Sequence, residues 1–116
     1  MKPWTVRLAQ QAEQDYAGIV RWTAQHFGEL QAQRYADTLA SALEALTEGP
    51  DLPGIKKRDE IAPGILTLHV ARHGRKGRHF VVLRAAPSNV MDVLRILHDS
   101  MDLARHVRAA NDDAGS

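Results

Sequence analysis

The sequence predicts an α+β fold: an N-terminal strand, an antiparallel helix hairpin packed on a predominantly antiparallel four-stranded sheet, and a short C-terminal helix. Three observations carry this. The hydrophobic period lengthens from two residues to about 3.6 near Ala9. A run of chain breakers, Gly49, Pro50, Asp51, Leu52, Pro53 and Gly54, then ends the helical part. Beyond it lie three strand-like runs joined by two turn-rich connections.

Trp4, Val6 and Leu8 alternate with Thr5 and Arg7, which is the pattern of a short strand. In the first helix Ala12, Tyr16, Ile19 and Thr23 share one face, widened by Val20 and Phe27, while Gln11, Gln14, Arg21 and Gln25 look outward. Gly28 stops it. The second helix runs from about Glu29 to Thr47, with Ala32, Ala36, Leu39, Leu43 and Leu46 as its apolar stripe. One glycine between two helices implies an antiparallel hairpin. Lys56, Lys57 and Arg58 read as an exposed basic cluster and Pro63–Gly64 as a turn. The strand runs are Ile65–Arg72, His79–Ala86 and Val90–His98. Phe80–Leu83 and much of Val93–Leu97 are apolar on both faces, as interior strands are. A loop from His73 to Arg78, holding Arg75, Lys76 and Arg78, makes the first connection, and Pro87–Asn89 makes the second. Asp99 or Ser100 caps a last helix reaching about Arg108. The helix pair covers one face of the sheet, and the other face is left to solvent or a partner.

With 116 residues, 44% hydrophobic and 25% charged, the chain reads as one globular domain over residues 1–110 and a flexible tail at 111–116. It has no cysteine, which excludes disulfides, thiolate metal sites and a cysteine nucleophile. No apolar run is long enough for a bilayer, and no signal peptide pattern opens the chain, so the expectation is a cytoplasmic protein without a membrane partner. Charge is uneven. Residues 1–54 hold four Lys or Arg against seven Asp or Glu; residues 55–116 hold eleven against seven, with five of the six histidines. A basic second half suits an anionic partner.

Several side chains are candidates for function. Arg72, Arg84 and Arg95 fall on three successive strands; in register they form a cationic row for acidic groups or nucleic acid. His98, Asp102 and His106 are spaced by four, so an Asp can orient a His on one helix face; capping and surface pairing explain the same spacing. Arg105 belongs to this closing segment. The basic loop can hold phosphate or do no more than aid solubility. His69, His73 and His79 could approach one another on adjacent strands, but they lack recognised metal-ligand spacing, so no metal or other cofactor is expected. Trp4 and Trp22 sit at the edge of the apolar surface and suit a partner segment.

These residues, in this order, resemble the ParE branch of the RelE/ParE superfamily of type II toxin–antitoxin toxins. The resemblance covers Trp4 to about Val107. It rests on Ala12, Asp15, Tyr16 and Ile19; on Phe27–Gly28, Ala32 and Tyr35; on Pro50 and Gly54; on Arg78, His79, Phe80 and Arg84; and on Arg95, Ile96, Leu97, His98, Met101, Asp102, Arg105 and His106. It implies a toxin that inhibits DNA gyrase by binding, is neutralised by a cognate antitoxin, and meets operator DNA through that antitoxin. On this reading the chain is not an enzyme. Two alternatives stay open: a RelE-like ribosome-dependent mRNA endonuclease, and a degenerate member acting only within a DNA-binding toxin–antitoxin complex. Arg72, Arg78, His79, Arg84, Arg95 and His98 could serve RNA cleavage. Against that, Leu83 precedes Arg84 where many superfamily members have Tyr, and the terminal Tyr of many RNA-cleaving relatives is missing.

Overall fold

A computed structural model describes residues 3–107. The tail expected at 111–116 and the end of the last helix at Arg108 lie outside these residues. The elements are β1 (Thr5–Leu8), α1 (Gln10–Phe27), α2 (Glu29–Ala45), a 3-10 turn (Leu46–Glu48), β2 (Lys56–Lys57), β3 (Leu66–His69), β4 (His79–Ala86) and β5 (Val90–His98). Residues 103–107 are helical and are called α3. Gly28, at φ +91°, ends α1 with its N–H on the Ala24 carbonyl and opens α2 with its own carbonyl on the Ala32 N–H. A side chain is disfavoured at that φ, so glycine makes the hairpin tight.

The sheet order is β1-β5-β4-β3-β2. β1 runs parallel to β5 and every other pairing is antiparallel. The expected α+β architecture is present, with five strands rather than four. Lys56 and Lys57, expected only as an exposed cluster, pair with Thr67 and Leu66 as a two-residue edge strand. A short, lysine-bearing edge discourages further strand addition. The first of the three strand runs, now β3, is shorter than expected and ends at His69, so Arg72 lies beyond it.

The apolar stripes of α1 and α2 bury against the sheet. Ala12, Leu39, Ala42 and Leu46 pack with Leu68, Val81, Leu83, Met91, Val93 and Ile96 in one core. The opposite face, expected to be open, carries a second core: Val82, Leu94 and Leu97 lie beneath Ile61 and Ile65 and beneath Leu103 and Val107 of α3. Burying these side chains on both faces of β4 and β5 is what their unbroken apolar runs require.

One irregularity positions the site. Leu83 pairs with Val93 and Val82 with Arg95, so Leu94 is an extra residue in the β5 ladder. Two β5 residues span one β4 position, which is a bulge. Leu94 joins the second core, while Arg95 turns to α1 and the next residue, Ile96, enters the first core.

Candidate functional site

A groove of roughly 930 Å³ opens where the helix pair parts from the corner of the sheet at which β4 begins and β5 ends. Ile19, Trp22, Thr23 and Phe27 of α1 form one wall, and Gln31 and Tyr35 of α2 another. Lys76, Gly77, Arg78 and His79, with Arg95 to His98 and Met101, form the floor and polar end. The exposed large hydrophobic residues among those described are Trp22, Phe27, Leu30 and Met101. Three of the four line this groove. Trp22 is 53% exposed, stacks on His26 at 4.1 Å between ring centroids and meets Phe27 edge-on. Contiguous exposed aromatics of this kind mark an interaction surface.

The polar end is a connected network. The Tyr35 hydroxyl accepts from the Arg78 backbone N–H at 3.0 Å and lies 2.6 Å from His79 Nδ1. With its lone pair toward Arg78, the hydroxyl donates to a neutral His79. Burial, and then the neighbouring His98, push the His79 pKa down to about 4, so the ring is uncharged near neutrality. Burial also raises the Tyr35 pKa, opposed by the bond from Arg78. The His98 ring meets His79 edge-on at 5.2 Å, and its Nδ1 accepts from the Ser100 N–H. Behind them His69 Nδ1 accepts from the Ala71 N–H, which puts the proton on Nε2, and Nε2 donates to Asp99 at 3.0 Å. Arg78 also donates to Asp99. The His69 bond, followed by the Arg78 bond, holds the Asp99 carboxyl below its ordinary pKa.

Gly77 explains how this loop comes so close. A Cβ there would run into Val70 and lie 3.1 Å from the Tyr35 hydroxyl. Glycine lets the backbone approach α2 and bring the Arg78 N–H onto Tyr35.

The sequence-derived candidates separate in space. Arg95 is at the groove but is already partnered: it donates to Asp15 through Nε at 2.8 Å and Nη2 at 3.0 Å, and Asp15 Oδ2 also accepts the Ile96 N–H at 3.0 Å. The Asp15 bond raises the Arg95 pKa further. Arg95 is therefore a clasp between β5 and α1 rather than a free cation. The expected row of Arg72, Arg84 and Arg95 does not form. Arg84 stands across from Asp92, Arg95 from Val82, and Arg72 beside Gly54 outside the strands. Asp92 instead takes Arg7 of the neighbouring strand at 2.6 Å. Arg105 and His106 sit on α3 and Asp102 just before it, and none of the three lines the groove. Asp102, not Asp99 or Ser100, caps this helix by accepting the Arg105 N–H at 3.3 Å. His106 Nδ1 donates to the Asp102 backbone carbonyl, so the carboxylate does not orient the ring. His98, Lys76 and Arg78 are in the groove; Arg75 reaches Thr38 of α2. Trp4 is not a free surface residue: its indole packs over Gly49, where an added Cβ would fall 2.6 Å away. No group of three metal-ligating side chains is found among the described residues.

Asp15, Gly18 and Tyr35 had no functional reading from the sequence. Tyr35 precedes Ala36 on α2, at the margin of the Ala32–Leu39 stripe, and a polar-tipped aromatic at that margin was the available signal.

The family profile described as ParE toxin of type II toxin-antitoxin system, parDE, matches residues 6–103. The chain is 32% identical over 98 residues to Toxin ParE of Escherichia coli, covering 83% of this chain and 85% of the relative. It is 31% identical over 108 residues to Toxin ParE1 of Caulobacter vibrioides, covering 92% and 99%. Its fold is similar to a chain of the chromosomal ParDE TA system from P. aeruginosa, with a TM-score of 0.67 and 17% identity over 82% of this chain and 95% of that one. It is also similar to a chain of the toxin–antitoxin complex RelBE2 from Mycobacterium tuberculosis, with a TM-score of 0.54 and 19% identity over 83% and 98%. The chain belongs to the ParE toxin family of type II toxin–antitoxin systems.

Proposed function

We propose that this chain acts by binding rather than by covalent chemistry, that its target is DNA gyrase, and that a cognate antitoxin silences it by laying an amphipathic segment in the groove between α1, α2 and the β4–β5 corner. The antitoxin would bring the complex to operator DNA. The observation that carries this reading is the exposed Trp22, Phe27 and Met101 along a largely apolar groove. Such a surface suits a helix or strand laid into it. The carboxylates nearby are already engaged, Asp15 in the groove lining by Arg95 and Asp99 behind its polar end by His69 and Arg78. A general base from either would have to break its own ion pair first. This supports binding over catalysis.

A second reading, ribosome-dependent cleavage of message, draws on the neutral His79 beside Arg78 and Lys76, groups able to move a proton near a phosphodiester. One pair of assays separates the two. The purified chain should stop gyrase supercoiling, be relieved by the antitoxin from the adjacent reading frame, and leave ribosome-bound message intact. Cut message with gyrase unaffected would select cleavage.

A further inference from the structure

We infer that the polar end of the groove is a proton-linked carboxylate receptor: an acidic side chain of the docked antitoxin is met by Lys76 and by the Tyr35 phenol, which is released to it when His79 takes up a proton. This rests on the groove being the antitoxin's seat.

Charge complementarity identifies the occupant's chemistry. Lys76 lines the groove with no carboxylate in ion-pair reach among the described residues. The groove's one lining carboxylate, Asp15, is consumed by Arg95. An apolar trough ending in cations and imidazoles suits an amphipathic segment with an acidic residue at that end.

The hydrogen bonds supply the switch. The Tyr35 oxygen always accepts from the Arg78 N–H. While His79 is neutral, the phenolic proton is spent on Nδ1, 2.6 Å away. Once Nδ1 carries a proton, the bond must reverse: the imidazolium donates to the Tyr35 oxygen, whose second lone pair is available. The phenolic O–H then has no acceptor in that bond and turns to the occupant. The groups facing His79 weigh on the proton in both directions. His98 on β5 and His69 on β3 oppose it, while Asp99 in the turn and Asp15 on α1 favour it. Tyr35 on α2 and the Arg78 backbone complete the surround. In the free chain the sum disfavours the charged ring; one incoming carboxylate in a desolvated groove shifts the balance toward it.

The test uses the antitoxin from the adjacent reading frame, titrated into the toxin by calorimetry in phosphate and in Tris. Between about pH 8 and about pH 6 the dissociation constant should tighten roughly fivefold or more, since a fully linked proton gives about tenfold per pH unit. The measured heat should differ between the two buffers by the ionisation heat of the proton taken up. His79→Gln should bind at high pH and lose both dependences. His98→Gln, at a side chain 38% exposed, removes a competing charge and should shift the dependence to higher pH. It keeps the test sharp if the first variant fails to fold. Gly18→Arg separates this inference from the one beneath it. An added Cβ at Gly18 meets nothing within 4 Å and the residue lines the groove, so an arginine there starts without a clash and extends into the groove space. Blocked binding in Gly18→Arg, with pH-flat and buffer-independent binding in the parent, overturns the proton linkage alone. Undiminished binding by Gly18→Arg overturns the docking site and the linkage with it.

Discussion

The helix-side face of the sheet is covered by two helices of 18 and 17 residues and still leaves a large groove, whereas the other face is closed by two short segments, 58–65 and 103–107. The difference lies in stiffness. A strand array twists steadily, and a long helix stays straight enough to follow it only over part of its length. α1 and α2 seal the middle of the sheet with Leu39 and Leu46, both fully buried, and then diverge from its corner. Loop and short helix adapt residue by residue, so Ile61, Ile65, Leu103 and Val107 can settle onto Val82, Leu94 and Leu97. The groove is thus a consequence of using long helices, and the face without them is closed.

Core truncation should separate the faces most strongly. Leu39→Ala, at full burial under the helices, is expected to cost about 4 kcal/mol in urea unfolding, and Leu103→Ala, at the rim of the second core, about 2 kcal/mol. Equal costs would show that the two faces contribute equally to stability. Next comes the clasp across the groove floor. Asp15→Ala strands Arg95 and the Ile96 N–H, with side chains only 16% and 19% exposed in the pair, and is expected to cost about 3 kcal/mol. Asp15→Asn, keeping an acceptor, should cost less in the same experiment.

Acid should act on the groove end. His79 holds a folded pKa of about 4 against an ordinary 6.5, so the folded chain binds fewer protons than the unfolded one in that window. Stability therefore falls as pH drops from about 6.5 to about 4 and is unaffected by this ring above it. Asp99, held below its ordinary value by His69 and Arg78, contributes stability that is lost as pH falls through its folded pKa. Both act in one direction. Thermal melts should show a falling Tm on acidification, and His79→Gln should flatten its upper part. The smallest effect on folding is expected at the groove mouth. Trp22→Ala should cost about 1 kcal/mol of unfolding free energy, because half of the residue is already in water and only the rest is buried. The same change should weaken antitoxin binding by about 2 kcal/mol, as an anchoring aromatic does.

Much of the helix layer was legible in the sequence because its signals are local. The Ala32–Leu46 stripe, Gly28 and the breakers at 49–54 each act within a few residues. The missing parts depend on contacts made at a distance. Lys56–Lys57 has no strand pattern of its own and becomes a strand by pairing with Thr67 and Leu66. Asp15 and Arg95 are 80 residues apart, and periodicity cannot reveal that they meet. The cover on the second face was unreadable because Ile61 and Leu103 carry no period of their own and Ile65 reads as the first residue of a strand. The row of arginines failed because hairpin register, which alternation does not reveal, sets Arg84 across from Asp92 and Arg95 across from Val82 and leaves Arg72 beyond β3, and the Leu94 bulge adds one more residue of offset.

That irregularity has a genetic corollary. A chain shortened by one codon at Arg95 would let β4 and β5 pair without interruption, leaving Val93, Leu94, Ile96, Leu97 and His98 on the faces they already occupy. The guanidinium bonds to Asp15 would vanish while the rest of the ladder kept its phase. The clasp is in this sense a detachable insertion, open to gain or loss without rewriting the strand around it.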